Sequence, residues 1–292
     1  MTFSIAAWDP NADPSPEWGI AVASKFLAVG SAVPWVRAGA GAVATQALAN
    51  LSYGPDGLDA LESGGAAKDV VRALTDADTD REQRQLGIVD ASGGAATFTG
   101  GECFEWAGGI TGDGYCCQGN ILTGPDVIEA MAEAFENERG ELAVRLLAAL
   151  AAGDEAGGDM RGRQSAALYI ARDEGGYGGG IDRAVDLRVE DHRRPVSELS
   201  RLFDMHRLYF PRASDLEFLD IDVELAAELR ALLSDTGHDA GTGEGFDGRL
   251  KAALFAFSGT ENLEERWSDD ARIEREMLEH LRSLAGGRRS LD

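Results

Sequence analysis

The feature that most constrains the fold is a core-type strand pattern that begins at the second residue of the chain. Residues 2–8 (TFSIAAW) combine apolar, aromatic and hydroxyl side chains that favour a strand. A turn with three prolines follows over residues 9–17, and residues 18–29 return to a strand pattern that continues past an expected bulge. The sequence therefore predicts a β-hairpin at the start of the chain.

This early start gives Thr2 a chemical interpretation. Residue 2 is small, so we expect Met1 to be removed and Thr2 to become the N-terminal residue. Thr2 would then carry both a hydroxyl nucleophile and an α-amine, whose pKa of about 8 lets it act as a base toward that hydroxyl. This arrangement is the design of N-terminal-nucleophile hydrolases. The alternative is that Thr2 is an ordinary first residue of a strand.

The rest of the chain predicts groups of strands followed by groups of helices. Strands are expected at residues 35–49, 85–89, 95–99, 164–172 and 184–189, with at least one more within 106–118. Helices are expected at residues 50–76 (interrupted at Gly64-Gly65), 124–137, 140–152 and 195–209. This order favours an α+β fold with two stacked sheets and helices outside, a four-layer αββα sandwich, and it excludes an alternating doubly wound sheet.

The composition changes near residue 212, which divides the predicted domains into 1–212 and 213–292. An acidic amphipathic helix is expected at residues 216–233 and a further helical region at 250–284, separated by a stretch rich in glycine and acidic residues. The second domain is therefore predicted to be a small helical appendage.

The charge balance is strongly acidic, with 51 acidic and 27 basic residues and a net charge of −24. Its basic residues include only three lysines, Lys25, Lys68 and Lys251. A carboxylate-rich surface suits a cytoplasm of high salt, where screening weakens self-repulsion, so we interpret the composition as halophilic. The same charge argues against nucleic-acid and anionic-membrane partners.

The cysteine pattern argues against disulfides and zinc. Cys103, Cys116 and Cys117 are odd in number, and two of them are adjacent. We expect the adjacent thiols to point to opposite faces of a strand in a reducing compartment. With no signal peptide or transmembrane run in the sequence, the expected location is cytoplasmic.

Four residues besides Thr2 are candidates for a role in catalysis. Ser4 shares a strand face with Thr2 and either orients its amine or is an ordinary buried hydroxyl. Lys25 either lowers the pKa of that amine, holds a substrate carboxylate, or lies on the surface. Gln46 and Asn120 have amides that could donate to an oxyanion, although Asn120 could instead cap a turn. The glycine at position 119 would allow a close approach of the backbone to a ligand.

Candidate substrate-binding residues are Ser24 and Thr45, which precede Lys25 and Gln46, together with Arg161 and Gln164. Arg161 could form two hydrogen bonds to a substrate carboxylate, or an ion pair with Asp186 or Asp191. Asp186 and His192 could in principle bind a metal, but an ion-pair network is the expected role of that cluster.

Several strings together resemble domain-of-unknown-function family number 1028, over about residues 1–209. They are GIAVASKFLAVGSAVPW (19–35), GAGAVATQALANLSYGP (39–55), QGNIL (118–122), GGDMRGRQSAAL (157–168) and DLRVEDHRRPVSELSRL (186–202). The resemblance implies an N-terminal-nucleophile hydrolase fold. In proteasome-type members of that fold the second strand ends in an acid and the third bears a lysine. Here Ser24-Lys25 and Thr45-Gln46 occupy those places, so the supporting groups differ.

The tail string FSGTENLEERW (257–267) resembles a small domain that carries a peptidoglycan-binding label and is often fused to that family. The other interpretation is a helical element for docking or dimerisation.

The sequence thus leads to one principal functional hypothesis. It is an N-terminal-nucleophile amidohydrolase that cleaves a small amide or peptide-like metabolite through a Thr2 acyl-enzyme, without a metal or organic cofactor, in a homo-oligomer. The alternative is a non-catalytic αββα scaffold or a protein that binds a small ligand. A third possibility places the chemistry near Arg161 and Asp186, with Thr2 incidental.

Overall fold

The computed structural model describes residues 2–289. The strands are β1 Thr2–Asp9, β2 Glu17–Ser24, β3 Pro34–Arg37, β4 Gly41–Ala47, β5 Arg84–Asp90, β6 Ala95–Thr99, β7 Gly108–Gly112, β8 Tyr115–Asn120, β9 Ser165–Ala171, β10 Arg183–Val189, β11 Phe218–Asp220 and β12 Arg272–Glu274. The helices are α1 Tyr53–Glu62, α2 Ala67–Ala77, α3 Asp126–Asn137, α4 Leu142–Glu155, α5 Pro195–Tyr209, α6 Val223–Asp235, α7 Gly248–Thr260 and α8 Arg275–Arg289.

The predicted hairpin lies at the centre of a six-stranded antiparallel sheet with the order β10-β9-β2-β1-β8-β7. β1 pairs with β2 from Phe3↔Ala23 to Asp9↔Glu17, and on its other edge with β8. A strand with partners on both edges has its backbone hydrogen bonds satisfied away from water. This explains how the residues of β1 can be buried so close to the start of the chain.

Two predicted strands have different bounds in the structure. The strand expected at residues 35–49 is a hairpin of β3 and β4, which turns at Gly39, a glycine with a left-handed φ of 72°. The strand expected at residues 18–29 ends at Ser24, and Ala28 (φ 55°) leads into a short 3-10 helix at Val29–Ser31. Alternation of small apolar residues does not distinguish a long strand from a tight turn between two short ones.

The second sheet has the order β3-β4-β5-β6, and its inner face packs on the six-stranded sheet through small side chains. Ala6 from the six-stranded sheet and Ala42 and Ala44 from the second sheet lie in this interface. On its outer face, Val43 and Leu86 pack with the apolar sides of α1 and α2. Each fully buried side chain of this size contributes about 1.5–3 kcal/mol relative to exposure.

The opposite face of the six-stranded sheet is covered by α3 and α4. Tyr115 of β8 contacts Phe135 of α3, with ring centroids 4.9 Å apart. A Cβ at Gly19 of β2 would lie 2.8 Å from Leu146 of α4, so glycine permits the close approach of this helix. With antiparallel sheets and helices in separate layers, the predicted α+β class is confirmed.

The chain divides into two compact units, Met1–Leu202 and Phe203–Asp292, and the boundary near residue 212 remains a prediction of the sequence. In the second unit, α6, α7 and α8 bury an apolar cluster that includes Leu229, Leu250 and Phe257, beside the two-stranded sheet of β11 and β12. Over residues 2–289, none of the helices combines the length and apolar character needed to cross a bilayer.

Candidate functional site

A layer of uncharged polar side chains fills one end of the otherwise apolar space between the two sheets. Thr2 and Ser4 alternate with outward-facing residues of β1 and share the inner face with Ala6. The same alternation brings polar side chains to the inner face where β2, β4 and β8 end and β5 begins. All of them are buried: Thr2, Ser4, Ser24, Gln46, Gln85, Gln118 and Asn120. We call this set the amide layer.

Ser4 links the two sheets at the middle of the amide layer. Its hydroxyl donates to Gln46 Oε1 over 2.7 Å and accepts from Gln118 Nε2 over 2.7 Å. The close pairing is possible because residue 87 is glycine, whose added Cβ would lie only 2.0 Å from Gln118 Oε1. Ser4 is therefore a linking hydroxyl, in agreement with its prediction as a buried group of the Thr2 face.

Gln85 is the acceptor on which two other amides meet. Its Oε1 accepts from Gln46 Nε2 over 2.8 Å and from Asn120 Nδ2 over 2.9 Å. Its Nε2 donates to the carbonyl oxygen of Gly119 over 2.7 Å and to Thr99 Oγ1 over 2.9 Å. One fully buried side chain thus joins β4, β5 and β8.

Thr2 lies at the end of this layer where β1 begins, and it is buried. Its hydroxyl is 3.1 Å from Ser24 Oγ, and its carbonyl oxygen accepts from Gln46 Nε2 over 3.4 Å. In the sheet, Thr2 stands opposite Asn120. The structure therefore places four predicted residues, Ser4, Ser24, Gln46 and Asn120, around Thr2. The expected removal of Met1 lies outside the described residues.

A cavity of about 40 Å³ lies beside Ser24, lined in part by Phe3, Asp159 and Arg163. It has room for a few water molecules, since one water needs roughly 10–15 Å³. The buried Asp159 carboxylate accepts the Lys25 backbone N–H over 2.7 Å and pairs with the Arg161 guanidinium at 3.3 Å. Asp159 thereby fixes the turn that follows Ser24.

The other predicted residues lie away from the amide layer. The exposed Lys25 ammonium donates to the Arg163 carbonyl oxygen over 3.4 Å. Thr45 occupies the opposite face of β4 from Gln46, and its hydroxyl donates to the Asn50 carbonyl oxygen over 3.0 Å. Arg161 forms an ion pair, but with Asp159 two residues earlier and not with Asp186 or Asp191 as the sequence suggested.

Gln164 is held through its backbone. Its N–H donates to the Ser24 carbonyl oxygen over 3.1 Å, and its carbonyl oxygen accepts from the His192 N–H over 2.7 Å. Asp186 forms ion pairs with Arg183 (3.3 Å) and Arg188 (2.8 Å), as the sequence suggested for that cluster. In residues 2–289, no cluster of three or more His, Cys, Asp or Glu side chains is placed to hold a metal ion.

Two sequence interpretations acquire a packing explanation. The Cβ that residue 119 lacks would lie 2.4 Å from the buried Leu122 side chain, so packing by itself favours glycine there. Cys116 packs in the cluster between the sheets, whereas Cys117, next along β8, has the opposite orientation near Glu136 of α3. Burial raises the pKa of the Cys116 thiol to about 12, so it is inert.

Sequence reasoning missed Gln85 and Gln118 as parts of the site. The available signal was a long amide at the end of a strand whose other residues on that face are small and apolar, Val89 and Gly87 beside Gln85. A fully buried amide needs partners, so its presence predicts a polar network inside the core.

The comparisons with known proteins follow this geometry. A family model described as a family of unknown function (DUF1028) matches residues 2–199. The chain belongs to this family. A crystal structure of a family member from Silicibacter pomeroyi has 34% sequence identity and a TM-score of 0.64, covering 70% of this chain and 86% of that one. The resemblance seen in the sequence is confirmed.

The second unit also matches a family model. Residues 209–281 fit a domain whose description is "putative peptidoglycan binding domain", as the tail string had indicated. No curated protein matches the chain.

Proposed function

We propose that this protein is an N-terminal-nucleophile amidohydrolase that cleaves a small amide or peptide-like metabolite. The order of contacts supports the fold that this activity requires: α1 and α2 on the second sheet, the two sheets face to face, and α3 and α4 on the six-stranded sheet. This order of layers supports an αββα sandwich, with Thr2 at the start of a central strand.

The observation that carries the proposal is the neutral character of the amide layer around the Thr2 hydroxyl. The Ser24 hydroxyl at 3.1 Å and the amide of Gln46 orient Thr2, but neither group accepts a proton near neutral pH. A hydroxyl nucleophile needs a base within hydrogen-bond reach. The α-amine of Thr2, once Met1 is removed, is a base of suitable pKa attached to the nucleophile itself.

The reaction then proceeds in two balanced steps. The Thr2 oxygen attacks the substrate carbonyl carbon while its proton passes to the α-amine, and a tetrahedral oxyanion forms. The C–N bond breaks as that proton moves to the leaving amine, which leaves an ester on Thr2. A water molecule, deprotonated by the same amine, then hydrolyses the ester and restores the hydroxyl.

Asn120 is the proposed donor to the oxyanion. An amide nitrogen carries two N–H groups, and in Asn120 one of them donates to Gln85 Oε1 over 2.9 Å. The second can donate to a substrate oxygen beside Thr2, which pairs with Asn120 across the sheet. Gln46 has a different proposed role. Its amide nitrogen donates to Gln85 and to the Thr2 carbonyl oxygen, so it positions the nucleophile.

The first test is the intact mass of the protein produced in its native-type host at high salt. Loss of Met1 leaves the Thr2 amine free, as the proposal requires. Retention of Met1, or acetylation of Thr2, would remove the base and leave a non-catalytic scaffold or ligand-binding protein as the better interpretation.

The second test compares variants on a panel of amino-acid p-nitroanilides. Thr2→Ala should reduce turnover at least about a thousandfold, and Thr2→Ser should retain part of it because a hydroxyl and an amine remain. Thr111→Ala is the matched control, since Thr111 is an exposed threonine on β7 of the same sheet. Wild-type turnover by Thr2→Ala would refute the role of Thr2.

A further inference from the structure

The loops at the Thr2 end of the sandwich expose large apolar side chains. Two of the loops follow β2 and β4, and the other two precede β7 and β9. All four loops therefore lie at the end of the sheets where β1 begins. Their exposed fractions run from 48% for Leu51 to 69% for Phe104. The set, here called the apolar rim, consists of Phe26, Leu27, Leu48, Leu51, Phe104 and Met160.

Hydrogen bonds join these loops along the six-stranded sheet. The Lys25 N–H, next to Phe26, donates to Asp159, next to Met160, over 2.7 Å. The Met160 N–H donates to the Ile121 carbonyl oxygen over 3.1 Å, and the Ile121 N–H donates to the Phe104 carbonyl oxygen over 2.9 Å. Phe26, Met160 and Phe104 are therefore carried on adjoining, mutually fixed segments.

The same linkage continues along the second sheet. The Glu102 N–H donates to the Glu82 carbonyl oxygen over 2.7 Å, and the Leu48 N–H donates to the Gln83 carbonyl oxygen over 3.2 Å. The Thr45 N–H donates to the Val33 carbonyl oxygen over 3.2 Å. This bond connects β4 to the segment between β2 and β3, which also carries Phe26. The loops form a closed belt, and Thr2 lies within it because β1 runs between β2 and β8 and faces β4.

Resting on the proposed hydrolase function, we propose that the apolar rim binds a large apolar side chain on the acyl half of the substrate. The six exposed apolar side chains lie on adjoining segments around the start of β1, and exposed apolar surface of this kind marks a binding site. The acyl half stays attached to Thr2 through both reaction steps, so it is the half that remains inside the belt. A second copy of the chain on the rim would cover Thr2 and block the proposed reaction, so an apolar side chain of the substrate is the occupant that the proposed function favours.

The test compares alanyl, leucyl and phenylalanyl p-nitroanilides as substrates. In the wild type, kcat/KM should rise from alanyl to phenylalanyl by roughly 10- to 200-fold. Phe26→Ser and Phe104→Ser should each lower kcat/KM for the phenylalanyl substrate more than for the alanyl substrate, and so remove most of that preference. Phe255→Ser is the matched control, because Phe255 is a phenylalanine of similar exposure (58%) in the second unit.

A binding measurement separates failure of this proposal from failure of the hydrolase proposal. Calorimetric titration of Thr2→Ala protein with N-acetyl-phenylalaninamide and N-acetyl-alaninamide should show the same preference and the same loss in the rim variants. That result without any turnover by the wild type would refute only the hydrolase. Turnover without an apolar preference would overturn only the rim proposal. The rim proposal would also be overturned if the rim variants kept the apolar preference and sedimentation showed that they dissociate an oligomer.

Discussion

Replacing Gln85 by methionine should destabilise the first unit by about 3 kcal/mol. Methionine matches the length of glutamine but removes the acceptor shared by Gln46 and Asn120, whose amide nitrogens lie 2.8 and 2.9 Å away. Each buried donor that loses its partner costs about 1–3 kcal/mol, or about 2–6 kcal/mol for two. The apolar surface that methionine buries returns on the order of 1 kcal/mol. The net loss in the free energy of unfolding is therefore about 3 kcal/mol.

Urea denaturation followed by tryptophan fluorescence measures this loss, because four of the five tryptophans lie in residues 2–202. The midpoint should fall with no change in the denaturant slope. Gln83→Met is the matched control. Gln83 lies two residues earlier, and its amide donates to Glu102 in an exposed contact of 3.1 Å, so its replacement should change stability by less than about 0.5 kcal/mol. A loss below about 1 kcal/mol for Gln85→Met would mean that the amide layer is not the dry, mutually dependent network inferred here.

Two further predictions concern charge. Burial disfavours the charged form of Asp78, but hydrogen bonds led by that from Asn50 outweigh it and hold the pKa of this carboxyl well below its ordinary value. Asp78→Asn should therefore lower stability by about 1–3 kcal/mol at pH 7. The deficit should begin to shrink below about pH 4, because the carboxyl of the unfolded wild type is protonated there while that of the folded protein stays ionised, and urea titrations at each pH would show this. A deficit that grows on acidification would contradict this sign. Raising KCl from about 0.15 M to about 1 M shortens the Debye length from about 8 to about 3 Å, so the urea midpoint should rise if self-repulsion limits stability; a falling midpoint would refute the halophilic interpretation.

Much of the fold can be predicted from local sequence, and the errors in that prediction also have a local cause. The prolines of residues 9–17 separate two strand patterns, so the β1–β2 hairpin is predictable. Residues 35–49 are mostly small apolar residues and glycines, and the turn at Gly39 depends on a positive φ that no periodicity reveals. The sequence also failed to predict that β2 ends at Ser24, because the exposed Phe26 and Leu27 continue the apolar pattern.

The site was predicted where one strand determines it and missed where several strands meet. Strand alternation alone placed Ser4 on the face of Thr2. Gln85 and Gln118 enter the site through contacts between sheets, with residues 35 or more positions away, and no local pattern reports such pairings. Thr45 was predicted to bind substrate, but strand alternation excludes it: Gln46 faces the amide layer, so Thr45 faces the helices on the other side of β4.

The amide layer contains no ionised side chains. Salt can therefore change the stability of the fold without changing the alignment of Thr2. Ions in solution act on the carboxylates that cover this chain, and through them on how firmly it stays folded. Hydrogen bonds among buried amides and hydroxyls carry no net charge for those ions to screen. We therefore expect salt to change the stability of the chain through its surface charges, while the alignment of Thr2 stays the same at low and at high salt concentration.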